Sequence, residues 1–95
     1  MRFEWDEVKA NKNFKKHGLD FETAARVFGD PFRIEMYDSK YSCDEDRYIT
    51  IGEIGGTACV VFVSYTERTD IIRMISARKA NASERRKYYD NPERD

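Results

Sequence analysis

The sequence predicts an α+β domain, with two N-terminal helices, a four-stranded antiparallel sheet and a C-terminal helix. Three observations carry the prediction. Residues 20–28 place apolar side chains at helical spacing, residues 32–77 hold four runs rich in Ile, Val, Phe, Tyr and Thr, and a capping-box pattern follows the last run. A chain of 95 residues has room for one core, so residues 1–95 are read as a single domain.

Taken in order, Phe3 to Trp5 can form a short strand. Residues 6–16 read as a helix, because Asp6 and Glu7 suit its positive start and Lys15, Lys16 and His17 its negative end. Gly18 stands where a C-cap glycine belongs. The apolar face of this helix is thin (Val8, Ala10, Phe14), so one side must lie open to water. Asp20 caps a second helix whose Phe21, Ala24, Ala25 and Phe28 share a face, and Gly29 and Pro31 stop it.

Strands are expected over residues 32–37, 48–54, 58–66 and 71–77. Gly55 and Gly56 suit a hairpin turn, and residues 66–70 a longer, charged one. The run Cys59-Val60-Val61-Phe62-Val63 is apolar at every position, which predicts a central strand covered on both faces, with Cys59 as a small buried hydrophobe. Asn81 or Ser83 then caps a helix reaching about Tyr89, with Glu84 completing a capping box from Asn81.

Composition excludes several classes. Apolar residues at 40% and aromatics at 14% are too many for a disordered chain, although 37% of residues are charged. No run approaches the roughly 20 apolar residues of a membrane span, and the Met-Arg-Phe-Glu-Trp-Asp opening has no signal-peptide character. Cys43, Cys59 and a single histidine make neither a zinc set nor a disulfide framework. The expectation is a soluble, reduced, cytoplasmic domain with no metal or cofactor. Net charge is −1, but it divides unevenly: zero over residues 1–30, −4 over 31–67 and +3 over 68–95. A near-neutral chain can therefore present a cationic face.

Arginine is the informative residue type. Arg68 lies in a hairpin loop, Arg73 inside the last strand and Arg78 at that strand's end. A strand arginine needs a partner, and its forked donors fit carboxylates and phosphates alike. Arg73 thus reads equally as the partner of Glu53, Glu67 or another carboxylate, or as a phosphate contact. Arg73 and Arg78 are five residues apart, so a regular strand points them to opposite faces, and they converge only if the strand ends or bulges first. His17 either bonds the last carbonyls of its helix or acts as an acid–base group. Glu67 is a base or a salt-bridge partner. Arg85 and Arg86 form a solvated helix face or touch nucleic acid, and Tyr88 or Tyr89 can stack on bases, one of the two packing on the sheet instead.

Phe3-Glu4-Trp5-Asp6, Lys9, Lys16-His17-Gly18, Phe21-Glu22, Ala24-Ala25, Phe28 and Asp30-Pro31 are similar to the opening of BrnT toxins. So are Arg47, Ile51-Gly52, Thr66-Glu67-Arg68, Ile72-Arg73, Ile75-Ser76-Ala77-Arg78, Glu84-Arg85 and Tyr88. The resemblance runs in the family's order from Phe3 to about Tyr89, and the opening block together with Ile-Arg-x-Ile-Ser-Ala-Arg is its specific part. It departs in a pI near 5.9, where such toxins are often more basic, and in Thr69, where glycine is common.

The resemblance implies a RelE-like fold and an endoribonuclease that stops translation and growth. It also implies a BrnA-like ribbon-helix-helix antitoxin in a 2:2 heterotetramer, with operator DNA reached only through that antitoxin. On this reading Arg68, Arg73 and Arg78 neutralise charge on the RNA phosphate, and His17 or Glu67 accepts the 2′-hydroxyl proton. Lys16 assists the leaving oxygen, and Arg85, Arg86 and Tyr88 touch RNA. The competing reading is a catalytically weak module that serves as partner and co-repressor of the antitoxin.

Overall fold

Asp6 starts the first helix as foreseen: its carboxylate accepts from the backbone N–H groups of Val8 and Lys9. The computed structural model describes residues 1–92, in the order β1 (Arg2–Glu4), α1 (Glu7–His17), α2 (Phe21–Ala24), a 3-10 turn (Ala25–Gly29), β2 (Ile34–Tyr37), β3 (Arg47–Glu53), β4 (Val60–Arg68), β5 (Ile71–Lys79) and α3 (Ala82–Tyr89). Gly18 ends α1 in the left-handed region at φ 70°, and Asn81 with Glu84 closes the expected capping box on α3. No helix among the described residues is long and apolar enough to cross a membrane.

The α+β class stands, but the sheet is five-stranded and mixed, in the order β1-β5-β4-β3-β2. β1 lies parallel to β5, with Phe3 opposite Ile72, while every other pair is antiparallel. Three residues are too few to show a period, and the partner of β1 is distant in sequence, so its place in the sheet was not readable locally. The second helix also differs. It makes one α turn and then tightens into 3-10 geometry, which presses Val27 against β3 at Gly52. A Cβ on Gly52 would meet Val27 and Arg33 carbons at 2.8 Å, so only glycine lets the turn approach this closely.

The two hairpins exchange their expected lengths. Residues 54–59 link β3 to β4, with Ile54 N–H donating to the Cys59 carbonyl at 3.0 Å. The β4–β5 link is only Thr69 and Asp70, and Thr69 adopts φ 52°.

β4 is central, and its first half is covered on both faces as its apolar run predicted. Val61, Val63 and Tyr65 pack with Ile72, Met74 and Ala77 beneath Phe21, Ala24 and Val27, and Cys59 is only partly buried beside them. On the other face Val60 and Phe62 pack with Ile51, Ala80 and Tyr88. Since α3 reaches only that end, the far half of the second face, beyond Phe62, is not roofed by a helix.

α1 runs along the free edge of β5 where β1 stops. There the buried Asn13 side chain substitutes for a strand. Its Nδ2 donates to the carbonyls of Ala77 at 2.8 Å and Leu19 at 3.2 Å, and its Oδ1 accepts from Ala77 N–H at 3.1 Å.

Candidate active site

The pairing of β4 with β5 shifts register in the middle: Ser64 faces Ser76 but Tyr65 faces Met74, so Ile75 is an extra residue. This bulge reverses the parity of β5. Ile72, Met74 and Ala77 all enter the helix-covered core, and Arg73 and Arg78 therefore share the opposite face. The condition the sequence set for their convergence is met.

Across that face the register builds a polar row. Arg47 on β3 lies opposite Thr66 on β4, Thr66 lies opposite Arg73 on β5, and Arg73 lies opposite Glu4 on β1. Adjacent strands are about 4.8 Å apart, so the two arginines stand roughly 10 Å apart at their backbones with the threonine between them. A cleft of about 380 Å³ opens here, with Lys9, Glu45, Arg47, Thr66 and Arg73 on its walls. Thr66 is 3% exposed, and its Oγ1 makes no close hydrogen bond, although the Glu45 carboxylate is near enough for the hydroxyl to help hold it below its ordinary value. A buried hydroxyl left unbonded costs about 1–3 kcal/mol, a cost that a ligand oxygen would remove.

The arginines differ in how firmly they are held. Arg78 is bidentate to Glu84 at 2.8 and 2.9 Å, lies 4.0 Å over the Phe62 ring, and so ties the end of β5 to the start of α3. That hydrogen bonding holds the Glu84 carboxyl below the usual carboxylate range and raises the Arg78 guanidinium further. Arg73 meets Glu4 at 2.8 Å through Nη1, both side chains being about two-fifths exposed. Arg68 meets Glu45 at 2.6 Å, but its side chain is 62% exposed, and such surface pairs contribute little. The Arg68 hydrogen bond nonetheless holds the Glu45 carboxyl below its ordinary value. Among the described residues Arg47 makes no ion pair.

Other expected site residues fall elsewhere. Strand alternation puts Glu67, exposed at the end of β4, on the opposite face from Thr66 and Arg68. Arg73's partner is Glu4, not Glu53 or Glu67. Lys16 is exposed and His17 half-buried at the end of α1, and neither is on a wall of the cleft. Lys9 is on the wall, and helical spacing aligns Lys12 and Lys16 with it along one stripe. Arg86 is exposed, while Arg85 donates to the Ala80 carbonyl at 2.8 Å. Tyr88 is 1% exposed and its hydroxyl donates to Asp30, so its ring has packed on the sheet and is not presented to a base. Tyr89 is the exposed member of the pair.

Arg47, Thr66 and Lys9 were not singled out as site residues by sequence reasoning. Alternation along β4 was the available signal for Thr66, but Arg47 lay one residue outside the expected strand, so its register was hidden. Among the described residues no group of three or more His, Cys, Asp or Glu is set to hold a metal ion.

Residues 5–84 match a family model described as "Ribonuclease toxin, BrnT, of type II toxin-antitoxin system". The chain belongs to the BrnT family. It is accordingly a ribonuclease toxin of a type II toxin–antitoxin system, with an antitoxin as its partner. No curated protein gives a significant match to the chain. In this BrnT chain the matched span takes in the whole Arg47–Thr66–Arg73 row together with Arg68 and Arg78, and it ends at Glu84, before Arg85, Arg86 and Tyr88.

Proposed function

We propose that the Arg47–Thr66–Arg73 row is the phosphate site of a metal-independent endoribonuclease. The observation that carries the reading is the buried Thr66 hydroxyl, without a close hydrogen bond, between two arginines that cross-strand pairing places on one face. The RNA 2′-oxygen attacks the adjacent phosphorus, the bond from phosphorus to the 5′-oxygen breaks, and a 2′,3′-cyclic phosphate and a 5′-hydroxyl result. The proton lost by the 2′-hydroxyl passes to a base, and the departing 5′-oxygen takes one up.

Arg47 and Arg73 neutralise the charge gathering on phosphorus, and each such preorganised donor is worth about 3–4 kcal/mol in a water-poor site. Arg68, weakly held by Glu45, turns to the same phosphate. Lys9, Lys12 and Lys16 follow the RNA backbone, and Arg85 and Arg86 lie beyond the cleft for a longer strand. Arg78 holds the bulged end of β5 and α3 in place. The carboxylates on the cleft wall placed to accept the proton are Asp44 and Glu45. Acceptance by His17 requires the end of α1 to approach a cleft it does not line, and acceptance by Glu67 requires β4 to turn over. Cleavage of this kind in translating cells stops growth, and a ribbon-helix-helix antitoxin in a 2:2 assembly covers the cleft until it is lost.

The test is cleavage of RNA by the purified chain in EDTA, with product ends mapped, beside Arg73→Ala and Arg47→Ala. The expected result is 5′-hydroxyl ends from the parent and a loss of at least a hundredfold in each folded variant. Parental rates in both variants would overturn the assignment. One observation favours the second reading, a catalytically weak partner of the antitoxin: Arg68, Arg73 and Arg78 each already meet a carboxylate of the same chain. That reading predicts no cleavage of free or ribosome-bound RNA and undiminished antitoxin binding.

A further inference from the structure

Beside the arginine row lies a second cleft of about 370 Å³ that shares Tyr41, Arg47 and Ile75 with the first. Its chemistry is different. Ile49, Phe62 and Ile75 give it apolar walls, Ser64 and Ser76 face each other across its floor, and Asp38 stands at its rim. Asp38 is half-buried, and its carboxylate has no hydrogen-bond or ion-pair partner among the described residues. Tyr41 is 54% exposed and walls both clefts. Arg78 also lines this cleft, but Glu84 already holds both of its terminal nitrogens, and the unpaired Asp38 carboxylate repels phosphate, so this half of the groove is the less suited to an anion. Apolar walls for a flat face, an aromatic ring beside them and a carboxylate acceptor at the edge match a nucleobase that presents donors.

We infer that this cleft is a base-binding subsite that takes a guanine next to the scissile phosphate, with Tyr41 stacking on the ring and Asp38 accepting from its N1–H and N2–H groups. The inference rests on the ribonuclease reading, because the phosphate row fixes where the base must lie. Guanine is the base whose pairing edge offers two adjacent donors to one carboxylate, and a good bidentate contact of this kind discriminates by about 1–3 kcal/mol, roughly five- to 150-fold. Stacking on an aromatic side chain contributes to any base and so sets affinity more than choice.

The experiment measures binding, by fluorescence anisotropy, of short 2′-deoxy oligonucleotides that cannot be cleaved. They carry guanine, adenine, inosine or an abasic site at one position. The parent should prefer guanine over adenine by about tenfold or more, with inosine between them. Asp38→Asn should erase that preference while leaving abasic binding unchanged. Tyr41→Ala should weaken all bases by about tenfold, and Tyr41→Phe should restore them. Equal binding of all four probes by the parent, or an undiminished guanine preference in both Asp38→Asn and Tyr41→Ala, would overturn the subsite while leaving the phosphate row standing if Arg73→Ala still weakens the abasic probe. No binding of any probe would overturn both.

Discussion

Thr69 turns the β4–β5 hairpin at φ 52°, a left-handed conformation that a β-branched residue adopts only under strain. Glycine at this position removes a strain of about 1 kcal/mol, partly offset by its freer unfolded chain. Thr69→Gly should therefore raise the melting temperature by a few degrees, since a domain of this size shifts about 4–8 °C per kcal/mol. A lower melting temperature in a thermal scan would show that the turn is not under strain. At the same scale, the arginines differ in kind. Glu84 occupies both terminal nitrogens of Arg78, whereas Arg47 has no carboxylate partner among the described residues, so only the latter is ready for a ligand without giving up a bond. The resemblance put Arg68, Arg73 and Arg78 on the phosphate alike, because sequence alone could not show which carboxylate each arginine would meet.

Elements are joined here by single polar side chains. Asn13 connects α1 to the free edge of β5 with two hydrogen bonds to Ala77 and donates a third to the Leu19 carbonyl, and its loss strands the Ala77 N–H and carbonyl groups in a buried setting. Asn13→Ala should cost about 1–3 kcal/mol, and hydrogen exchange should show protection lost first at Ala77; uniform loss across the sheet would contradict the assignment. At α3, Glu84 serves both the helix cap and Arg78, and these bonds hold its carboxyl below the usual 4.5. A depressed carboxylate adds stability that is complete above its unfolded value and disappears as the pH falls through the folded one. Glu84→Gln should thus be less stable than the parent at neutral pH, with the gap closing below about pH 4. Denaturation at both pH values checks this, and a gap that widens in acid would refute it. Asn13 went unnoticed in the sequence because a helix asparagine carries no periodic signal, while Glu84 was legible because capping boxes are local.

Over the whole molecule the net charge of −1 conceals a sheet face with Arg47, Arg68, Arg73 and Arg78 on one side of an acidic loop. Three phosphate contacts on single-stranded RNA give a slope of about −2 in log affinity against log salt, at roughly −0.7 per contact. Arg47→Ala should flatten that slope by about 0.7 while leaving the protein folded. An unchanged slope in a salt titration would place Arg47 off the RNA path.

The helices, their caps, the central apolar strand and the resemblance to the BrnT family all follow from the sequence, because each depends on neighbours within a few positions along the chain. The parallel pairing of β1, the extra residue Ile75 and the meeting of Arg47, Thr66 and Arg73 were decided only in the folded protein. These depend on register between strands distant in sequence, and one inserted residue is enough to move an arginine from one face to the other.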